Sequence, residues 1–365
     1  MELLKKLYTI HSMSGREKKM KRFIRKWISE NLPEAIVTND KTGNLYITKG
    51  ESTAYPCIVA HLDQVQNSHS RDFVALEAGD IIIGYSSKSR SQQGLGADDK
   101  NGIWVCLKCL LKYDAIKVAL FVSEEVGCVG SSGANMKFFN DVRFVLQCDR
   151  RGAHDLITDA SWVELCSKEF VNAIQPQLFG YKETSGLMTD VMTLKENGLG
   201  VSCVNISCGY YEPHTDTEFT SISDLMNCLA FVEHIFDTCV EDRYPHEYTY
   251  TPYSSKYAGY YNDVYEDFYN GKSKGNSTIS KYSGCNESNT ESCFREVYYD
   301  VVKEILQFYP DAKYDTVLWY LRESFPSTTF WDDWTRKLYC DVLQDLQLEV
   351  NDVHTNEEMA EIEDI

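Results

Sequence analysis

The sequence has no run of about 18 apolar residues, so nothing in it is predicted to span a bilayer. Positive charge is scarce. With 36 Lys and Arg against 55 Asp and Glu, the net charge is −19. Phosphate backbones and anionic membranes need a basic surface, so nucleic-acid and membrane partners are not expected. The 13 cysteines are odd in number and have no framework spacing. No apolar stretch of signal-peptide type follows the first residues. Together these predict a cytoplasmic protein with free thiols. The N-x-S/T triplets at Asn205, Asn276 and Asn286 are then chance matches. What the chain does have is a 43% apolar fraction over 365 residues, enough to bury a full core.

Ser14 followed by Glu17 reads as a capping box, and Met20, Phe23, Ile24, Trp27 and Ile28 continue at helical spacing, predicting an amphipathic helix over 15–31. Residues 35–49 read as a hairpin. Short apolar runs at 55–60, 117–122, 142–148 and 199–206 predict buried strands, and 101–112 predicts a helix. Strands alternating with helices predict an α/β fold with a mixed, mostly parallel sheet flanked by helices. After residue 240 the character changes. Residues 241–270 hold nine tyrosines, 271–293 read as a Gly/Ser/Asn-rich linker, and 294–347 regain helical periodicity. The last 25 residues carry nine acids and no Lys or Arg, so 348–365 is read as an acidic tail. The expected organisation is a catalytic domain over 1–240 and a small helical C-terminal region.

In α/β sheets the site forms beyond the carboxyl ends of the strands. The residues that follow the predicted strands are His61 and Asp63, then Glu124 and Glu125, then Asp149, then His214. A further pair, Asp98 and Asp99, precedes the predicted helix at 101–112. Two adjacent glutamates repel each other, so a fold that places them together needs positive charge nearby. Histidines and carboxylates are N/O donors that suit Zn2+, Mn2+ or Co2+. In His61-x-Asp63 the aspartate can accept the second ring N–H and fix the tautomer. Two dications need one bridging carboxylate and further ligands on each side, which leaves one glutamate as general base.

The stretches "VAHLDQV" (59–65), "GLGADDKNG" (94–102), "SEEVGCVGSSGA" (123–134), "QCDRRG" (147–152) and "PHTDTEF" (213–219), in this order, resemble the co-catalytic zinc exopeptidases, the superfamily of peptidase T, the carboxypeptidase G-like enzymes and the TET aminopeptidases. The resemblance covers residues 1–240 and implies a zinc-peptidase core. By position it implies that His61, Asp98 and Asp149 hold one divalent ion and that Asp98, Glu125 and His214 hold the other, with Zn2+ the implied metal. Asp63 would orient His61, Glu124 would be the general base, and the Asp98–Asp99 peptide would be cis. Within the acidic pair, Asp99 stays open as the bridge instead. Asp190, in "GLMTDVM", resembles a family position near the substrate pocket.

The 65 residues from Asp149 to His214 leave no room for a separate lid domain, and the 37 from His61 to Asp98 leave none for an added β domain. The chain thus resembles the lidless aminopeptidases. The expected function is a metal-dependent aminopeptidase acting on peptides. A deacylase or dipeptidase ranks second, and an inactive metal-binding scaffold third. A homo-oligomer or a protein partner engaged through the C-terminal region is compatible with this reading. Cys106 and Cys109 fall inside a predicted helix and are read as core packing. The "GKS" at 271–273 lacks the upstream glycine of a phosphate-binding loop and is read as linker.

Overall fold

The computed structural model describes residues 1–248 apart from 162, 241 and 242, and further on 302–303, 306, 314, 317–318 and 332–346. The chain divides into two compact units, Met1–Tyr260 and Tyr261–Ile365. The first opens with α1 (Glu2–Tyr8), α2 (Lys18–Asn31) and the hairpin of β1 (Ile36–Asn39) and β2 (Leu45–Lys49). Next come β3 (Tyr55–His61), then β4 (Phe73–Ala78), β5 (Ile81–Ser86) and β6 (Ser91–Gln93), and then α3 (Ala97–Lys112). β7 (Ile116–Phe121), the one-turn α4 (Val129–Ser132), β8 (Val142–Arg150), β9 (Asp155–Ala160) and β10 (Val163–Glu164) follow. The unit continues through α5 (Lys168–Ile174), β11 (Lys182–Gly186), α6 (Asp190–Glu196), β12 (Cys203–Ser207), β13 (Tyr210–Tyr211), β14 (Phe219–Ser221) and α7 (Ile222–Thr238).

Nine strands form the large sheet, in the order β1-β2-β7-β3-β8-β12-β9-β10 with β11 on β9. Its centre, β7-β3-β8-β12, is parallel, and its flanks are antiparallel except for β11, which runs parallel to β9. Every residue of β3 and β7 is buried, as both faces of a covered parallel strand require. Alternate residues enter two cores. Ile58, Ala60, Val118 and Leu120 face α3 and α7, while Cys57, Val59, Ala119 and Phe121 pack on the other side. Each Ile, Val, Leu or Phe among them, fully buried, contributes about 1.5–3 kcal/mol. Cys106 and Cys109 lie in the first core, as core packing requires.

A second sheet, β13-β14-β5-β4 with β6 on β5, accounts for the stretch between His61 and Asp98. The sequence reading passed over β4–β6, although Phe73–Leu76 and Ile81–Ile83 are short apolar runs. The described elements between Asp149 and His214 are strands of the two sheets and short helices beside them.

Two expectations need correction. The amphipathic helix expected over 15–31 is α2, which begins at Lys18, and no side chain caps it. Ser14 and Glu17 make no capping box because both are engaged elsewhere: Ser14 Oγ donates to Asp63, and Glu17 accepts from Ser123. The strand expected over 199–206 is the shorter Cys203–Ser207.

Of the Tyr-rich stretch, Tyr244 and Tyr248 are described. Tyr244 packs against Phe170 at 5.0 Å between centroids, and Tyr248 lies against the opposite core. The rest of that stretch, the 271–293 linker with its "GKS", and the acidic tail lie outside the described residues. In the second unit, α8 (Asp332–Asp345) buries Leu338, Tyr339, Val342 and Leu343 at helical spacing, and Val302, Leu306, Val317 and Leu318 are buried as well.

Candidate active site

Each predicted strand end delivers its residue to one place. His61 is the last residue of β3, Asp149 sits near the end of β8, and Glu124 and Glu125 follow β7. Asp98 stands in the first turn of α3, where Asp98 and Asp99 leave helical geometry and their peptide bond is cis, as the resemblance implied. His214 comes from the loop between β13 and β14, at φ 66°, a left-handed conformation that a β-carbon disfavours.

These side chains form two triplets sharing Asp98. In His61–Asp98–Asp149 and in Asp98–Glu125–His214 the candidate donor atoms all lie within 4.8 Å of one another. His61 Nε2 is 3.0 Å from Asp98 Oδ1 and 3.6 Å from Asp149 Oδ1. His214 Nε2 is 3.2 Å from Asp98 Oδ2 and 3.1 Å from Glu125 Oε2. Asp98 therefore presents one oxygen to each side. Asp99, the other reading of the bridge, faces away: it accepts from the backbone N–H of His61 and of Gly102, both at 3.0 Å. A β-carbon at Gly102 would stand 2.2 Å from Asp99 Oδ1, so glycine is what lets that carboxylate turn inward.

Glu124 lies beside the first triplet, with Oε2 3.9 Å from His61 Nε2. Asp63 Oδ1 is 3.4 Å from His61 Nδ1. It does more than face the histidine. Its oxygens accept from the backbone N–H of Glu124 (2.9 Å) and Glu125 (3.2 Å) and from Ser14 Oγ (2.7 Å). One buried aspartate thus stands beside the first histidine and holds the backbone of the glutamate pair. Glu17 holds the start of the same turn at Ser123, which is also left-handed at φ 53°.

Charge is badly balanced here in the protein alone. Burial pushes Glu124 well above the usual carboxylate range, with Asp149 adding to it, and raises Glu125, with Asp98 adding. Asp149 is likewise pushed up by burial and by Asp98. Burial disfavours protonated His214, but hydrogen bonds to Asp98 and Glu125 outweigh it and push it up to about 12. Burial also opposes ionisation of Asp98, yet His214 and His61 hold it far below its ordinary value. Glu125 Oε1 and His61 Nδ1 are buried atoms without a hydrogen-bond partner. A donor set of N and O atoms, short of positive charge and with an orphaned carboxylate oxygen, fits divalent cations.

Sequence reasoning missed several residues of this region. Glu218, fully buried, accepts from the backbone N–H of Gly96 (2.6 Å), Ala97 (3.0 Å) and Asp98 (3.2 Å). Burial pushes it up to about 8. Lys100, also buried, donates to Gln64 and to the Leu95 carbonyl, and burial lowers it to about 7. His69 approaches Gln64 and the Gly94 carbonyl. Glu218 lay inside the quoted "PHTDTEF", four residues after His214, and that closeness was the available signal. Lys100 likewise lay inside the quoted "GLGADDKNG", directly after Asp99, whereas nothing in the sequence marked His69. Asp190 is buried at the start of α6, receives Gln147 Nε2 at 3.4 Å, and is pushed up by burial to about 7.

No protein-family model matches the sequence, and no curated protein matches it. Solved structures do resemble it. The aminopeptidase PepT from Bacillus cereus aligns with 64% of this chain and 97% of its own at 13% identity, with a TM-score of 0.52. A tripeptidase from Staphylococcus aureus aligns with 64% of this chain and 95% of its own at 14% identity, with a TM-score of 0.50. At such identities the likeness is one of architecture, and the chain has the fold of these peptidase structures.

Proposed function

We propose that this protein is a metal-dependent aminopeptidase. The observation that carries the reading is the pair of donor triplets joined through Asp98, with Glu124 beside them. His61 and Asp149 would hold one ion, Glu125 and His214 the other, and Asp98 both, with Zn2+ favoured by the His/carboxylate set and Mn2+ or Co2+ compatible with it. When bound, two dications polarise a scissile carbonyl and acidify water.

The chain's own residues do the rest. Glu124 takes a proton from the attacking water and delivers it to the leaving amine, a role that suits a buried carboxylate held above its usual range. Asp63 keeps His61 in the tautomer that leaves Nε2 free and holds the turn bearing Glu124. The surplus of carboxylates, among them Asp190, favours a cationic substrate end, which a free peptide α-amine supplies.

The test is elemental analysis of metal content, paired with cleavage of a peptide library bearing free or acetylated N-termini. Two ions per chain and trimming of free N-termini only, abolished by EDTA, is the expected result. Cleavage of acetylated substrates alone would replace aminopeptidase with deacylase. Bound metal with no hydrolysis of either set would sink the enzymatic reading.

A further inference from the structure

The loop that presents Asp98 has no regular hydrogen bonding of its own. It runs from the end of β6 into the first turn of α3, through Gly96 at φ 63° and the two non-helical aspartates. Its backbone N–H groups at 96, 97 and 98 point at a single acceptor, the Glu218 carboxylate. Both oxygens are used. Oε2 takes Gly96 and, at 3.3 Å, Gln66 Nε2, while Oε1 takes Ala97 and Asp98. The contact extends along the chain. Asp216 Oδ1 accepts from Gly94 N at 3.4 Å, and the Glu218 carbonyl accepts from Gln92 Nε2 at 3.3 Å. The segment 214–218 therefore lies along residues 92–98, and it carries His214 at its other end.

We propose that Glu218 is a positioning residue for the dinuclear centre: by fixing the backbone of Asp98 it sets the placement of the one ligand that both ions would share. The inference rests on the metal reading above. It has a signature that a terminal ligand lacks. A terminal ligand serves one ion, so its loss weakens one binding step. The shared ligand serves both, so a loosened Asp98 weakens both together. Glu218→Gln keeps the shape but turns one acceptor oxygen into an NH2 group, which then faces a backbone N–H donor. Buried groups that orient ligands in this way typically change metal affinity by about 10–100-fold.

The experiment is calorimetric titration of the full-length, metal-free protein with Zn2+, alongside amide hydrogen exchange at residues 96–98. In Glu218→Gln both binding steps should weaken by similar factors of about 10–100, and those three amides should exchange faster. In Asp149→Asn, by contrast, only one step should weaken. If Glu218→Gln does not fold, as judged by circular dichroism, Glu218→Asp keeps the carboxyl group but draws it back by one methylene, and the same joint weakening is expected. A wild type that binds two ions and a folded variant that binds them equally well would overturn the role of Glu218. So would weakening of one step alone, which would confine Glu218 to its neighbour His214. A wild type that binds no metal would instead overturn the functional reading itself.

Discussion

The two sheets contribute to the site in different ways. The large sheet supplies His61, Glu124, Glu125 and Asp149 from the ends of parallel strands or the turns just after them, and His61 is fully buried there. The small sheet supplies the approach to Asp98 through β6 and the loop bearing His214, whose side chain is 40% exposed. Strand ends in a packed sheet are held by ladders on both sides. The loops of the small sheet are held by side chains: Glu218, Asp216 and Gln66. On the proposed metal reading, an ion on the His61 side should be held more tightly and one on the His214 side should exchange more readily.

The largest effect should come from the large-sheet side. Glu124→Gln removes the proton carrier but no donor of either triplet, so kcat should fall by about 10²–10⁴ while metal content is unchanged. Retained turnover in that variant would assign the base elsewhere. Next, His61→Ala and His214→Ala should each lower kcat/KM by more than about 100-fold, and stepwise chelation of the wild type should remove the ion on the half-exposed His214 side first. Chelation in the reverse order, read from which single-histidine variant resembles the one-ion form, would break the comparison. Ser14→Ala strips one of the donors on Asp63 and should lower activity about 10-fold, measured as kcat with KM little changed.

The smallest effect concerns pH. Burial, with Lys100 adding, lowers His69 to about 3. The unfolded chain therefore binds a proton below about 6.5 that the folded chain refuses until near 3. Stability is fully present above the unfolded value and is lost as pH falls through that window. Between pH 6.5 and 5 the loss should be about 1–2 kcal/mol. His69→Gln should flatten it, read as the difference in urea midpoints of the metal-free proteins. An unchanged slope would mean that His69 titrates normally.

The contrast between sheets also explains what was legible in the sequence. The runs at 55–60, 117–122 and 142–148 announce the large sheet, because strands buried on both faces must be apolar throughout. The donors follow those runs directly, so His61, Glu125 and Asp149 were readable in order. The small sheet was passed over: its apolar runs, Phe73–Leu76 and Ile81–Ile83, are only four and three residues long, and of their side chains only Ile82 is buried. Ser14 and Glu17 misled for a related reason. A hydroxyl and a carboxylate three residues apart are read most cheaply as a local cap, yet here both reach across to a distant turn at 63 and 123. Long-range polar contacts leave no periodic trace.

The chain order of the site carries one more consequence. Glu218 and His214 come after every other donor, more than sixty residues beyond Asp149. A chain emerging N-terminus first can order its central strands before either exists. Until residue 218 is available, Asp98 lacks its anchor and the second triplet lacks its histidine. On the proposed reading, a chain that stops short of residue 218 has no complete site, so cutting could begin only after that residue has been made.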